Sequence, residues 1–250
     1  MSESKKRSKA SRISEKYLNS FYDAVHQTYL SILKERPDYI LVPFRGADPI
    51  LKGVQLLASI DRNSSKMPRV IPLLIGEISR EKSTHPYSFR EDEKIAEIGR
   101  RLQRLKGLKG TPKLIIVDEV QKGGSMSKNF GYVENALRRM GISAELSGIG
   151  IAETGTPRHE RFSVLEQQGK IKPIFVEKLF TVDKQVFLPE IRRTDSNSTH
   201  ISSHNLNERM EIFEKLQQMH MERYHPDTLR EINEARTLPR SKRKPVQRRK

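Results

Sequence analysis

Runs of apolar residues alternate with helix-period stretches along most of this chain. Tyr39-Ile40-Leu41-Val42 and Leu114-Ile115-Ile116-Val117 are short continuous apolar runs, bounded by polar residues, prolines and glycines. Runs of that length read as strands buried on both faces. Between and around them, apolar residues recur at spacings of three and four. Leu18, Phe21, Tyr22, Val25, Tyr29, Ile32 and Leu33 form one such face. Ile50, Val54, Leu57 and Ile60 form a second, and Phe130, Val133, Leu137 and Met140 a third. These are amphipathic helices. The pattern predicts helices over 13–35, 49–60, 92–106, 127–140 and 158–168, and strands near 39–43, 70–75, 113–118, 145–151 and 173–177. Buried strands alternating with amphipathic helices imply an α/β fold, with a mostly parallel central sheet and helices on both faces. Strands 39–43 and 113–118 are expected as inner neighbours.

Past Leu188 the periodicity weakens. Residues 191–205, rich in Ser, Asn, Thr and His, read as a polar linker. Residues 206–235 read as a helical extension bearing Met210, Phe213, Leu216 and Met219, an arm suited to docking or to forming a homo-oligomer. The pairs His200 with His204 and His220 with His225 read as surface histidines. The α/β domain proper is assigned to 13–190.

Composition bounds the function classes. The 250 residues include no cysteine, which excludes disulfides and thiolate metal sites. No apolar run approaches the roughly 20 residues needed to span a bilayer. The polar opening Met1-Ser-Glu-Ser-Lys-Lys-Arg has no apolar signal core, so a cytoplasmic protein is expected. The net charge of +16 is concentrated at the ends: residues 1–12 carry +4 and residues 236–250 carry +8. Such segments have too few apolar groups to bury and are expected as disordered basic arms. They could bind nucleic acid by releasing its counterions, or only confer solubility. In a nucleated cell Lys242-Arg243-Lys244 and Arg248-Arg249-Lys250 would also read as a nuclear import signal.

The chemistry gathers after two of the strands. Asp118 and Glu119 stand at the end of 113–118, and Val120-Gln121-Lys122-Gly123-Gly124-Ser125-Met126-Ser127 leads into the next helix. Backbone N–H groups in a glycine turn approach an anion closely, and the helix N-terminus adds roughly half a positive charge. Carboxylates beside such a turn can accept hydrogen bonds from sugar hydroxyls. After 39–43 comes Pro43-Phe44-Arg45-Gly46-Ala47-Asp48-Pro49, with Asp48 read as a helix N-cap before Pro49. Here Gly46 allows close backbone approach and Arg45 offers a planar fork for phosphate oxygens.

In this order of elements the chain resembles the type I phosphoribosyltransferases, whose signature is an apolar strand, two acidic residues, two small apolar residues and a hydroxyl- and glycine-rich turn. Asp118, Glu119, Val120 and Gly124 fit it, whereas Lys122, Gly123 and Met126 stand where the family usually has Thr or Ser. The resemblance implies that Lys122, Gly123, Gly124, Ser125, Met126 and Ser127 line a 5′-phosphate, and that Asp118 and Glu119 hold ribose hydroxyls. It further implies that Arg45, Gly46 and Ala47 bind pyrophosphate, with Mg²⁺ held mainly by the ligand near Asp118 and Glu119. The long polar segment 77–92 would be a mobile loop bringing Arg80, Lys82, His85 and Arg90 to the leaving group. Phe180 and Phe187 fall where the family places an aromatic hood. Two functions follow as expectations. One is a phosphoribosyltransferase acting on phosphoribosyl diphosphate and a nitrogenous base; the other is a non-catalytic relative that senses a nucleotide and binds nucleic acid through its basic ends.

Overall fold

A computed structural model describes residues 14–43, 47–73, 91–120, 123–179, 190–193, 199–202 and 206–230, with backbone alone for 190–193, 199–202 and 206–209. The elements run α1 (Glu15–Glu35), β1 (Tyr39–Pro43), α2 (Asp48–Ile60), β2 (Arg69–Leu73), α3 (Glu91–Leu102), β3 (Lys113–Val120), α4 (Gly124–Met140), β4 (Glu145–Glu153), α5 (Glu160–Gln167) and β5 (Ile171–Val176). They continue with β6 (Glu190–Arg193), β7 (Thr199–Ser202) and a C-terminal helix, Leu206–Tyr224, which we label α6.

The apolar strands form one five-stranded sheet in the order β2-β1-β3-β4-β5, and every pairing in it is parallel. The expected neighbours pair directly, with Tyr39 opposite Leu114 and Leu41 opposite Ile116. Side chains alternate across the sheet. Ile40, Val42, Ile115, Val117, Ile149 and Ile151 point into a core shared with α1 and α2. Leu41, Leu114, Ile116 and Val120 point the other way, into a core with α3, α4 and α5. Both faces are therefore covered, which is why these strands carry so few polar residues.

Three expectations need correction. The helix α6 is no appended arm: Ile212, Leu216 and His220, one helical turn apart, are buried against α1 and α2. Met210, placed on the apolar face by the sequence, is 53% exposed. Four-residue spacing selects 212, 216 and 220 once the helix meets its neighbours, and the polar imidazole of His220 hid that stripe. The supposed linker over 191–205 contains part of a two-stranded antiparallel ladder, β6 with β7, pairing Ile191 with Ile201. Asp48 is no N-cap: Ala47 occupies that position, and the Asp48 carboxylate pairs with Lys52 one turn on at 2.7 Å.

Residues 1–12 and 236–250 lie outside the described residues, as do Arg45, Gly46, Arg80, Lys82, His85, Arg90, Lys122, Phe180, Phe187 and His204. Among the described residues no helix is long and apolar enough to cross a membrane.

Candidate functional site

In an open parallel sheet ligands settle beyond the carboxyl ends of the strands, at the point where the strand order reverses direction. In the order 2-1-3-4-5 that point lies between β1 and β3. From β1 the chain crosses to β2 on one side, and β3 then takes up the other side. The segment after β1 leads to α2 through Ala47, and the segment after β3 leads to α4 through Gly123. Both connections leave the same edge of the sheet because both strands run the same way.

The turn into α4 has a strict requirement for glycine at one position. Gly123 caps the helix with φ +83°, a left-handed conformation that residues with a side chain rarely adopt. A Cβ there would also sit 2.6 Å from Cβ of Phe162, a fully buried side chain of α5. Gly124 begins the helix and Ser125 is exposed beside it. The next two residues face inward. Met126 is wholly buried against β4, where a Cβ on Gly150 would meet its sulfur at 3.3 Å. Ser127 turns its hydroxyl back to donate to the Gly123 carbonyl at 2.8 Å. Of the turn residues expected to line a phosphate, Met126 and Ser127 thus spend their side chains on the fold. Ala47, fully buried, likewise offers backbone, with its carbonyl accepting the Leu51 N–H at 2.9 Å.

The two acids do not share one face of the sheet. The strand β3 extends to Val120, two residues beyond the expected end, so Asp118 and Glu119 lie within it, opposite Gly150 and Ile151. Adjacent strand residues point to opposite faces. Asp118 faces α4 and is only 4% exposed, while Glu119 faces the other layer and is partly buried. The picture of two carboxylates open to one cleft is accordingly revised for Asp118. Burial pushes its carboxyl up to about 7, against the opposing effect of hydrogen bonds from the Glu119 backbone N–H and the Asn129 amide. Asn129, one turn into α4 and buried, is a partner of Asp118 that the sequence reading missed. Its apolar neighbours Phe130 and Val133 marked the helix face, and nothing in that pattern singled out an amide.

A second missed residue is His159. It caps α5 beyond the end of β4, its Nδ1 accepting the Arg161 N–H at 3.2 Å. Its ring carbon Cδ2 is 3.8 Å from where a Cβ of Gly124 would be. An exposed imidazole therefore stands beside the glycine turn, at the same edge of the sheet. The only signal in the sequence was its place between a strand and a helix.

A depression of about 500 Å³ lies at the opposite edge, lined by Asp38, Met67, Arg69, Leu108 and Lys109 among others. We give it no catalytic weight. Its one carboxylate, Asp38, accepts the Lys113 backbone N–H at 2.8 Å and so serves to anchor β3.

A third polar group, far along the sequence from any motif, sits behind the sheet. Asp61, His220 and His225 converge there with Tyr22 and Tyr29. The reading of His220 as a surface histidine is overturned, since it is 1% exposed and bonded at both ring nitrogens.

Fold and edge together define an open, doubly covered parallel α/β protein with a glycine turn at its switch point. No family model and no curated protein matches the chain.

Proposed function

We propose that the protein binds a phosphorylated ribose, as phosphoribosyl diphosphate or a nucleotide, at the carboxyl ends of β1 and β3. The observation that carries this reading is the switch point. A glycine turn with φ +83°, an α-helix N-terminus and an acidic strand end meet where a parallel sheet reverses its order. The 5′-phosphate would rest on the backbone of 122–127, with Lys122 beside it. Glu119 is the more accessible acid for ribose hydroxyls, and Arg45 with Gly46 would take the pyrophosphate. Mg²⁺ would be held chiefly by the diphosphate oxygens. Asp118, buried and carrying a proton for part of the time at neutral pH, does not suit a direct bond to that ion.

Binding is better supported than transfer. The hydroxyl of Ser127 is committed to Gly123, and the Met126 side chain is in the core, so the turn has few side-chain donors for a phosphate in motion. This favours, as a second reading, a nucleotide sensor without catalysis whose basic termini contact nucleic acid. Titration calorimetry of the full chain with phosphoribosyl diphosphate and Mg²⁺, and separately with mononucleotides, tests both. Saturable binding that is lost in Gly123→Val supports the site, and pyrophosphate release on adding bases would establish transfer. Absence of binding to every one of these ligands would overturn the reading.

A further inference from the structure

Asp61 follows directly on the end of α2, and His220 lies in the last turns of α6. His225 comes just after that helix, its N–H still bonded to the Met221 carbonyl at 2.8 Å. Two segments remote in sequence, the end of α2 and the end of α6, thus bring two imidazoles and one carboxylate to a point. Nε2 of His220 lies 2.9 Å from Asp61 Oδ1, and Nε2 of His225 lies 2.8 Å from the same oxygen. All three ligand-type atoms fall within 4.8 Å of one another.

The groups behind these atoms are arranged as supports. Nδ1 of His220 is 3.0 Å from the Tyr22 hydroxyl, whose oxygen can accept a hydrogen bond from Nδ1–H and leave the Nε2 lone pair facing the cluster. The Tyr29 hydroxyl donates to Asp61 Oδ2 at 2.9 Å, and Asn63 donates in turn to Tyr29 at 2.9 Å. The second carboxylate oxygen is thereby occupied, and Oδ1 is directed toward the two imidazoles. Metal-binding histidines and carboxylates in general have their remaining polar atom held in this way.

We propose that Asp61 Oδ1, His220 Nε2 and His225 Nε2 form a binding site for a divalent transition-metal ion, of which Zn²⁺ is the best match. Two imidazole nitrogens favour Zn²⁺ and its first-row neighbours over Mg²⁺ and Ca²⁺, which prefer oxygen. Around a tetrahedral Zn²⁺ with bonds near 2.0–2.2 Å, ligand atoms stand about 3.3 Å apart. The two imidazole–carboxylate separations, 2.9 and 2.8 Å, need to open by only about half an ångström to admit the ion. Burial is graded in a useful way. The His220 side chain is 2% exposed, whereas Asp61 and His225 are 21% and 33% exposed. The ion would enter from the His225 side, and water or an outside ligand would complete its shell there. Arg223 lies over the Tyr22 ring at 4.5 Å and within 3.8 Å of Asp23, so its charge is partly balanced by that acid.

The site is independent of the phosphoribose reading, because it sits among α1, α2 and α6 and uses none of the residues at the sheet edge. Its test uses the full chain after treatment with a chelator, titrated with Zn²⁺ alone and with Mg²⁺ alone, and with Co²⁺ followed by visible absorption. One Zn²⁺ per chain is expected, with no comparable uptake of Mg²⁺, together with a Co²⁺ spectrum of low-symmetry coordination. His225→Gln keeps a partly exposed position filled and should lower Zn²⁺ affinity at least tenfold. Tyr22→Phe should lower it roughly 10–100-fold by freeing the His220 ring. Added Zn²⁺ should raise the melting temperature of the parent and do so much less in His225→Gln. Circular dichroism of each variant confirms that it is folded. No saturable Zn²⁺ uptake by the parent, or unchanged uptake by folded His225→Gln, would overturn the site and leave the cluster as a hydrogen-bonded pin.

Discussion

Asp118 at the sheet edge and Asp61 behind α2 are both drawn out of water, yet their carboxyl groups shift in opposite directions. Burial is the largest influence on each and favours the neutral acid. Asp118 has two donors, a backbone N–H and the Asn129 amide, and they are too few to offset it, so its carboxyl rises to about 7. Asp61 has His225, His220 and Tyr29, and their hydrogen bonds together hold it below the ordinary carboxylate value. Asp118 is much the more deeply buried of the two and has fewer donors, so the balance between desolvation and hydrogen bonding falls on opposite sides. One region is left incompletely compensated, which suits a place where ligand groups arrive. The other is saturated with internal donors, which tie α6 to the core until an ion takes their place at Oδ1.

The largest expected effect comes from dismantling the saturated region. Asp61→Ala removes the acceptor for two imidazoles and a phenol, and should cost about 3 kcal/mol in urea unfolding. A loss below about 1 kcal/mol would mean that water replaces the carboxylate and that the cluster does not anchor α6. The turn comes next. Gly123→Ala imposes both a left-handed φ and a clash with Phe162, and should cost roughly 1–3 kcal/mol while weakening nucleotide binding. An unchanged melting temperature would show that α4 and α5 can separate without penalty.

Asp118→Asn tests the uncompensated side through pH. The native carboxyl titrates near 7 and the unfolded one near its usual 3.8, so between those values the native state holds a proton that the unfolded chain has released. Stability of the parent should fall as pH rises through that window and level off above it. The amide has no such titration. Thermal melts from pH 4 to 8 should therefore show a flatter profile for Asp118→Asn, with a gain relative to the parent at the upper end. Parallel profiles for parent and variant would show that Asp118 is solvated and ionised throughout.

The smallest effect on folding belongs to the C-terminal tail. Deleting 237–250 removes seven positive charges and should change unfolding free energy by no more than about 0.5 kcal/mol. If the tail binds nucleic acid, the slope of log K against log salt should become shallower by about 0.7–0.9 for each phosphate that is no longer neutralised. An unchanged slope in filter binding would assign the tail to solubility or targeting.

The sheet was legible because its strands are buried on both faces. Such strands must be apolar throughout, so Tyr39–Val42 and Leu114–Val117 stood out; β1 has its expected limits and β3 runs two residues past its expected end. The glycine turn was legible for a similar reason, since few residues can occupy φ +83° against Phe162. The direction of the acidic pair was misjudged because a strand that runs two residues further converts a strand exit into two opposite faces. The docking of α6 was missed because its buried stripe ends in a histidine, and a polar residue interrupts any count of apolar spacing.

Local chemistry along the chain therefore determined most of the elements and the mostly parallel character of the central sheet. Those follow from periodicity and from the right-handed crossover that each strand–helix–strand unit demands. What only the tertiary structure decided is which polar groups meet. Tyr22 and His220 are 198 residues apart in sequence and 3.0 Å apart in space, and Asp61 and His225 are 164 apart and 2.8 Å. Nothing in either segment specifies its partner. A lone histidine on a helix is a surface residue or the centre of a buried cluster according to what the packing of three distant helices brings against it.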